Sequence, residues 1–237
     1  MKHETRPSLR ADLLGPVRYF VGASELPPGL LRRRSAGELL AFLLTSDELR
    51  AGRDELSSAL WPDANGASAT NALFKSVHSL RHLLEPDLRT GRSSAFIQWD
   101  ADTLLIPATV DCGIDVRIVV ELGVRIRAGD PVEMVEIEHA LSLYRGDLCD
   151  GMTPAPWLDA RRDAMRGHRL DLIHDLRRRA TESGQPERVI PALEALVRHE
   201  PANAMGHRLL IEAMLRWGDR DGARRHADQI SHLVRRS

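Results

Sequence analysis

Between Ala69 and Glu85 the chain reads ATNALFKSVHSLRHLLE, and its apolar residues recur at Ala69, Leu73, Val77, Leu80 and Leu84. Steps of three and four residues are the signature of a helix that buries one stripe. At about 100° per residue the opposite face collects Asn71, Lys75, His78, Ser79 and His82, which are hydrogen-bond donors with little acidity among them. Such a face suits an acidic, acceptor-rich partner such as DNA. The plainer reading is the solvated side of an ordinary amphipathic helix.

The flanking segments narrow the choice. RDELSSAL, Arg53 to Leu60, predicts a short helix, and Trp61-Pro62 ends it because a proline forces the preceding residue out of helical geometry. The turn WPDANG then leads into the long helix, which Pro86 terminates in the same way. Downstream, Phe96 to Ile106 alternates around Asp100-Ala101-Asp102, the pattern of a β-hairpin. Upstream, ADLLGPVRYF is broken by Gly15-Pro16 and a second short segment closes at Pro27-Pro28-Gly29, so a small N-terminal sheet is expected. Arg33 to Thr45 carries Leu39, Leu40, Leu43 and Leu44 at helical spacing, and Leu56, Ala59 and Leu60 mark the next helix. Two helices joined by a turn, the second with a donor face, followed by a hairpin, make a winged helix-turn-helix.

From about Asp111 onward the pattern is helical only, and it repeats. AGDPVEMVEIEHAL, SGQPERVIPALEAL and WGDRDGARRHADQI each place a glycine at a turn ahead of an amphipathic helix, and a longer helix is expected from about Ala155 to Thr181. Gly184 and Gly218 lie 34 residues apart, the repeat length of tetratricopeptide helix pairs, with a generic helical bundle as the alternative. The expected fold is therefore an α+β winged helix-turn-helix domain over residues 1–110 followed by an all-α tetratricopeptide-like helical domain over 111–237, with a polar junction near Thr109 to Gly113. A fragment of residues 1–110 is expected to fold alone and to retain some DNA binding.

Charge decides how DNA could be held. Residues 1–110 carry 13 Lys and Arg against 13 Asp and Glu, and the whole chain has a net charge of −1. Phosphate attraction must come from local clusters, with few contacts per protomer. Arg32, Arg33 and Arg34 form one cluster and Lys75 with Arg81 a thinner one, although charge runs are often merely solvated. The candidate DNA-contacting residues are Arg33, Arg34, Asn71, Lys75, Ser76, His78, Ser79, Arg81 and His82. His78 and His82, with Glu85 a turn further, could also present a zinc site. DNA explains the same face better, so no metal is expected. No Gly-rich phosphate loop, HExxH or nucleophile elbow is present, and neither an enzyme nor a cofactor is expected. Cys112 and Cys149 stand far apart, as reduced cytosolic thiols do. No apolar run approaches the ~18 residues of a membrane span, and the N-terminus shows no apolar signal region, so a cytoplasmic protein without membrane contact is expected.

The chain resembles the SARP-type bacterial transcriptional regulators, in which a winged helix of the OmpR class precedes a bacterial transcriptional activator domain (BTAD) of tetratricopeptide helices. The resemblance rests on LLGPVRYFVG, RRRSAGELLAFLL, DELSSALWPD, ATNALFKSVHSLRHLLEP, IDVRIVVEL, ALSLYRGDL and LEALVRHEP, and covers nearly the whole chain. It implies a transcriptional activator that binds double-stranded promoter DNA sequence-specifically, as a homodimer on repeated half-sites, and recruits RNA polymerase. Where the family usually shows adjacent basic residues late in the recognition helix, this chain has His78 and Ser79, while Lys75 and Arg81 remain. Loss of a guanidinium removes a bidentate reader of guanine, so base specificity is expected to be altered, weakened or handed to Asn71 and Lys75. The competing expectation is a protein-interaction regulator with a degenerate winged helix, acting through its helical-repeat surface.

Overall fold

The computed structural model describes residues 6–27, 34–89 and 91–234. Three short strands open the chain: β1 (Ser8–Asp12), β2 (Arg18–Val21) and β3 (Ser24–Glu25). The tight β2–β3 turn requires a left-handed residue, and Gly22 supplies it at φ +58°. Helix α1 (Arg34–Leu44) follows, with Ala36, Leu39, Leu40, Ala41, Phe42, Leu43 and Leu44 all buried. The six consecutive buried residues Leu39 to Leu44 make that half of the helix apolar on every side, which places it in the middle of a core. Strand β4 (Arg50–Gly52) leads into α2 (Arg53–Leu60), and α3 (Gly66–Leu84) packs on both α1 and α2. Strands β5 (Gln98–Asp100) and β6 (Thr103–Leu105) form a hairpin that pairs through β6 with β4, giving a three-stranded sheet in the order β4-β6-β5. Three helices with this hairpin behind them are the expected winged helix-turn-helix.

The stretch around Thr109 to Gly113, expected as a polar junction, instead contains strand β7 (Asp111–Ile114). It runs parallel to β1, with Ser8 opposite Asp111 and Ala11 opposite Ile114, and completes a four-stranded sheet in the order β3-β2-β1-β7. Alternation over so few residues gives a weak strand signal, and a parallel partner a hundred residues away leaves no local mark.

Helices then take over: α4 (Asp115–Ala128), α5 (Met134–Ser142), α6 (Pro156–Glu182), α7 (Ile190–His199), α8 (Ala204–Trp217) and α9 (Arg220–Val234). The chain divides into two compact units, residues 1–117 with 148–163, and residues 118–147 with 164–237. The first unit thus extends past residue 110 and takes back a later segment. Within it, Leu14 bridges Leu148, and the first turns of α6 cover the C-terminus of α1. There Arg161 donates to the Phe42 carbonyl at 2.7 Å, to the Ser46 hydroxyl at 3.0 Å and to the Thr45 hydroxyl, with its guanidinium 3.9 Å from the centre of the Phe42 ring. A cation is well placed at the carbonyl end of a helix.

In the second unit successive helices stack, α5 on α7, α7 on α8 and α8 on α9. The glycine corners read from the sequence are real: Gly129, Gly184 and Gly218 all have positive φ. Between α8 and α9, His207 and His226 join ring to ring, Nδ1 to Nε2 at 2.9 Å. The other His207 nitrogen, Nε2, lies 2.9 Å from the Pro201 carbonyl, which can only accept, so Nε2 donates there and Nδ1 accepts from His226. Burial, and then the neighbouring His207, hold His226 below the ordinary imidazole value, and burial and then Arg169 do the same for His199. A depressed histidine binds its proton more readily in the unfolded chain, so stability falls as pH drops below about 6.5 and is flat above it. We expect the melting temperature to decrease between pH 7 and pH 5.5, and His226→Gln, which donates without titrating, to flatten part of that slope. An unchanged slope in the variant would assign the linkage to other groups. Among the described residues, no helix is long and apolar enough to cross a membrane.

Candidate nucleic-acid interface

The turn between α2 and α3 sets the presentation of α3. Helix α2 stops at Trp61, whose φ of −135° follows from Pro62 behind it. Asn65 then caps α3, its side-chain oxygen accepting from the Ser68 amide at 2.9 Å. Ala69, Leu73, Val77, Leu80 and Leu84 are all buried, as their spacing requires. Asn71, Lys75, His78 and His82 are exposed on the other side, and Ser79 is half-buried. The His78 and His82 rings meet edge to face, 4.6 Å between centres.

Ser76 does not belong to this exposed face. It is buried, and its hydroxyl donates to the Ala72 carbonyl one turn back at 2.9 Å. A serine can enter an apolar stripe because the helix itself accepts its proton, so the residue type misleads about which way the side chain points. Arg81 is half-buried and spends its Nε on the Ile97 carbonyl at 3.0 Å, which ties α3 to the segment leading into the hairpin. Arg33 lies outside the described residues, and Arg34 is the first residue of α1. Glu85, the third member of the zinc alternative, accepts from the Ser94 hydroxyl and from the Ala95 amide at 3.1 Å. It is thereby committed to the loop after α3, and the two histidines stand as a pair.

The hairpin is anchored beside α3. Asp102 at its tip receives Arg53 twice, through the backbone amide at 2.7 Å and through an ion pair at 2.9 Å. From β5, Trp99 packs on Phe74 with ring centres 5.7 Å apart. Phe74 is 49% exposed, on the same side of α3 as Asn71 and His78. Reasoning from donors alone passes over this pair. The signal was available, because Phe74 falls outside the apolar stripe and a large aromatic there has no place in the core.

The model for the bacterial transcriptional activator domain matches residues 114–235. Among solved structures, Mycobacterium tuberculosis EmbR in complex with a low affinity phosphopeptide is similar at a TM-score of 0.64 and 21% identity, over 98% of this chain and 60% of that one. The chain therefore spans about three fifths of that structure's length, and the likeness is one of fold. No curated protein matches the chain.

Proposed function

The chain belongs to the bacterial transcriptional activator domain family and is a SARP-type transcriptional regulator, and from that premise we propose that it is a sequence-specific activator that docks α3 in the major groove of promoter DNA. The observation that carries this reading is the exposed row Asn71, Lys75, His78 and His82 on a capped helix held against an anchored hairpin. An α-helix fits the major groove, and amide, ammonium and imidazole donors meet the acceptors displayed there. The protein acts as a homodimer on repeated half-sites and recruits RNA polymerase, in line with its family. A cytoplasmic location goes with that role.

Selection from random duplex DNA with the full chain tests the reading, and enrichment of repeated half-sites is expected. On the selected duplex, Lys75→Ala should weaken binding and, if the ammonium contacts phosphate, lower the slope of log affinity against log salt by about one. Affinity and slope unchanged by the substitution would remove this lysine from the interface.

One observation favours the second reading, a regulator acting through its helical surface. A groove of about 720 Å³ in the helical unit is lined by Glu138 and Leu141 of α5, Leu176 of α6, and Ala192 and Ala195 of α7. Failure to enrich any duplex would remove the DNA-binding reading and leave this groove as the candidate interaction surface.

A further inference from the structure

Phe74 is the one apolar member of the exposed row Asn71–Phe74–His78, whose members succeed each other at i, i+3 and i+7 along α3. A half-exposed phenylalanine between two hydrogen-bonding side chains leaves apolar area in water that folding has not removed. Trp99 packs against its ring, tilted by 48°, and Trp99 is itself held in the register Trp99–Leu104 of the hairpin. Phe74 thus has an aromatic neighbour and still leaves about half of its surface open.

From this juxtaposition, and resting on the DNA-binding reading, the geometry points to Phe74 as a reader of thymine, its open surface packing on the C5 methyl group in the major groove. That methyl is the apolar feature the major groove displays, and it lies beside the O4 acceptor of the same base. The donors Asn71 and His78, one turn to either side of Phe74, are spaced to meet acceptors flanking the methyl. The occupant follows from the DNA-binding reading: thymine sets its methyl beside one acceptor, and the neighbouring bases supply further acceptors along the groove for Asn71 and His78. Trp99 is a positioning residue that acts through Phe74.

Deoxyuridine tests the assignment because it differs from thymine by the methyl alone. Using the duplex selected by the full chain, each thymine is replaced singly by deoxyuridine and affinity is measured for the wild type, Phe74→Ala and Phe74→Leu. At one or two positions per half-site the wild type should lose about fourfold, the worth of one buried methyl group. Phe74→Ala should bind the thymine and uracil duplexes equally there, and Phe74→Leu should restore part of the difference. Trp99→Leu should shrink the difference while leaving the salt slope unchanged. The assignment is overturned if no thymine is sensitive in the wild type, or if the sensitivity persists undiminished in Phe74→Ala. Absence of any selected duplex would overturn the DNA-binding reading itself, and this one with it, an outcome distinct from binding that ignores the methyl.

Discussion

A fragment ending at residue 110 is expected to lack the cooperative unfolding transition of the intact first unit. The sequence pattern alone favoured an independent domain there, but the cut removes β7 and turns β1, the strand carrying buried Leu9 and Ala11, into a bare edge. It also removes Ile114, Leu148, Cys149 and Leu158, each buried, and Arg161, which closes the C-terminus of α1. At about 1.5–3 kcal/mol per large buried side chain, these losses rival the whole stability of an ordinary domain, about 5–15 kcal/mol. Circular dichroism melts of the fragment beside the full chain give the answer. A sharp transition within a few degrees of the intact protein would show that the later segment is dispensable.

Asp115→Ala in the full chain should be the most damaging single substitution in the first unit. Asp115 is buried, and its carboxylate accepts from the amides of Leu13 at 2.8 Å and Leu14 at 2.9 Å, residues that are themselves fully buried. It also accepts from the Val116 amide at 2.9 Å, within the first turn of α4, where negative charge is favoured. Hydrogen bonds to a charged group contribute about 1.5–3 kcal/mol each, and a buried amide left without an acceptor costs about 1–3 kcal/mol. A loss of about 3–5 kcal/mol is therefore expected in chemical denaturation. Asp115→Asn keeps one acceptor oxygen and should lose about half as much. A change below about 1 kcal/mol for the alanine variant would mean that water takes over these amides.

Whatever depends on neighbours within a turn or two was legible in the residues alone. Arg53 to Leu60 is a helix with the bounds its pattern predicts, the stripe from Ala69 to Leu84 is buried, and the hairpin turns at Asp100-Ala101-Asp102. Prolines at 62 and 86 stop helices because their rings act on the adjacent residue, and glycines mark corners because only they enter positive φ without cost. Within α3 the face was legible as an average. Ser76 turned inward because the helix accepts its hydroxyl proton, and Phe74 points outward as its helical phase requires, while its contact with Trp99, distant in sequence, came only with the fold.

The pairing of β7 with β1, the bonds of Asp115 to Leu13 and Leu14, and those of Arg161 to α1 came from long-range packing. Each joins segments about a hundred residues apart. A backbone amide or carbonyl is the same chemical group in every residue, so nothing in the sequence around Leu13 or Phe42 marks it as the partner of a distant carboxylate or guanidinium. The pairing arises when packing brings one buried charge beside one set of unsatisfied backbone groups, because leaving either alone in the interior costs more than ordering both.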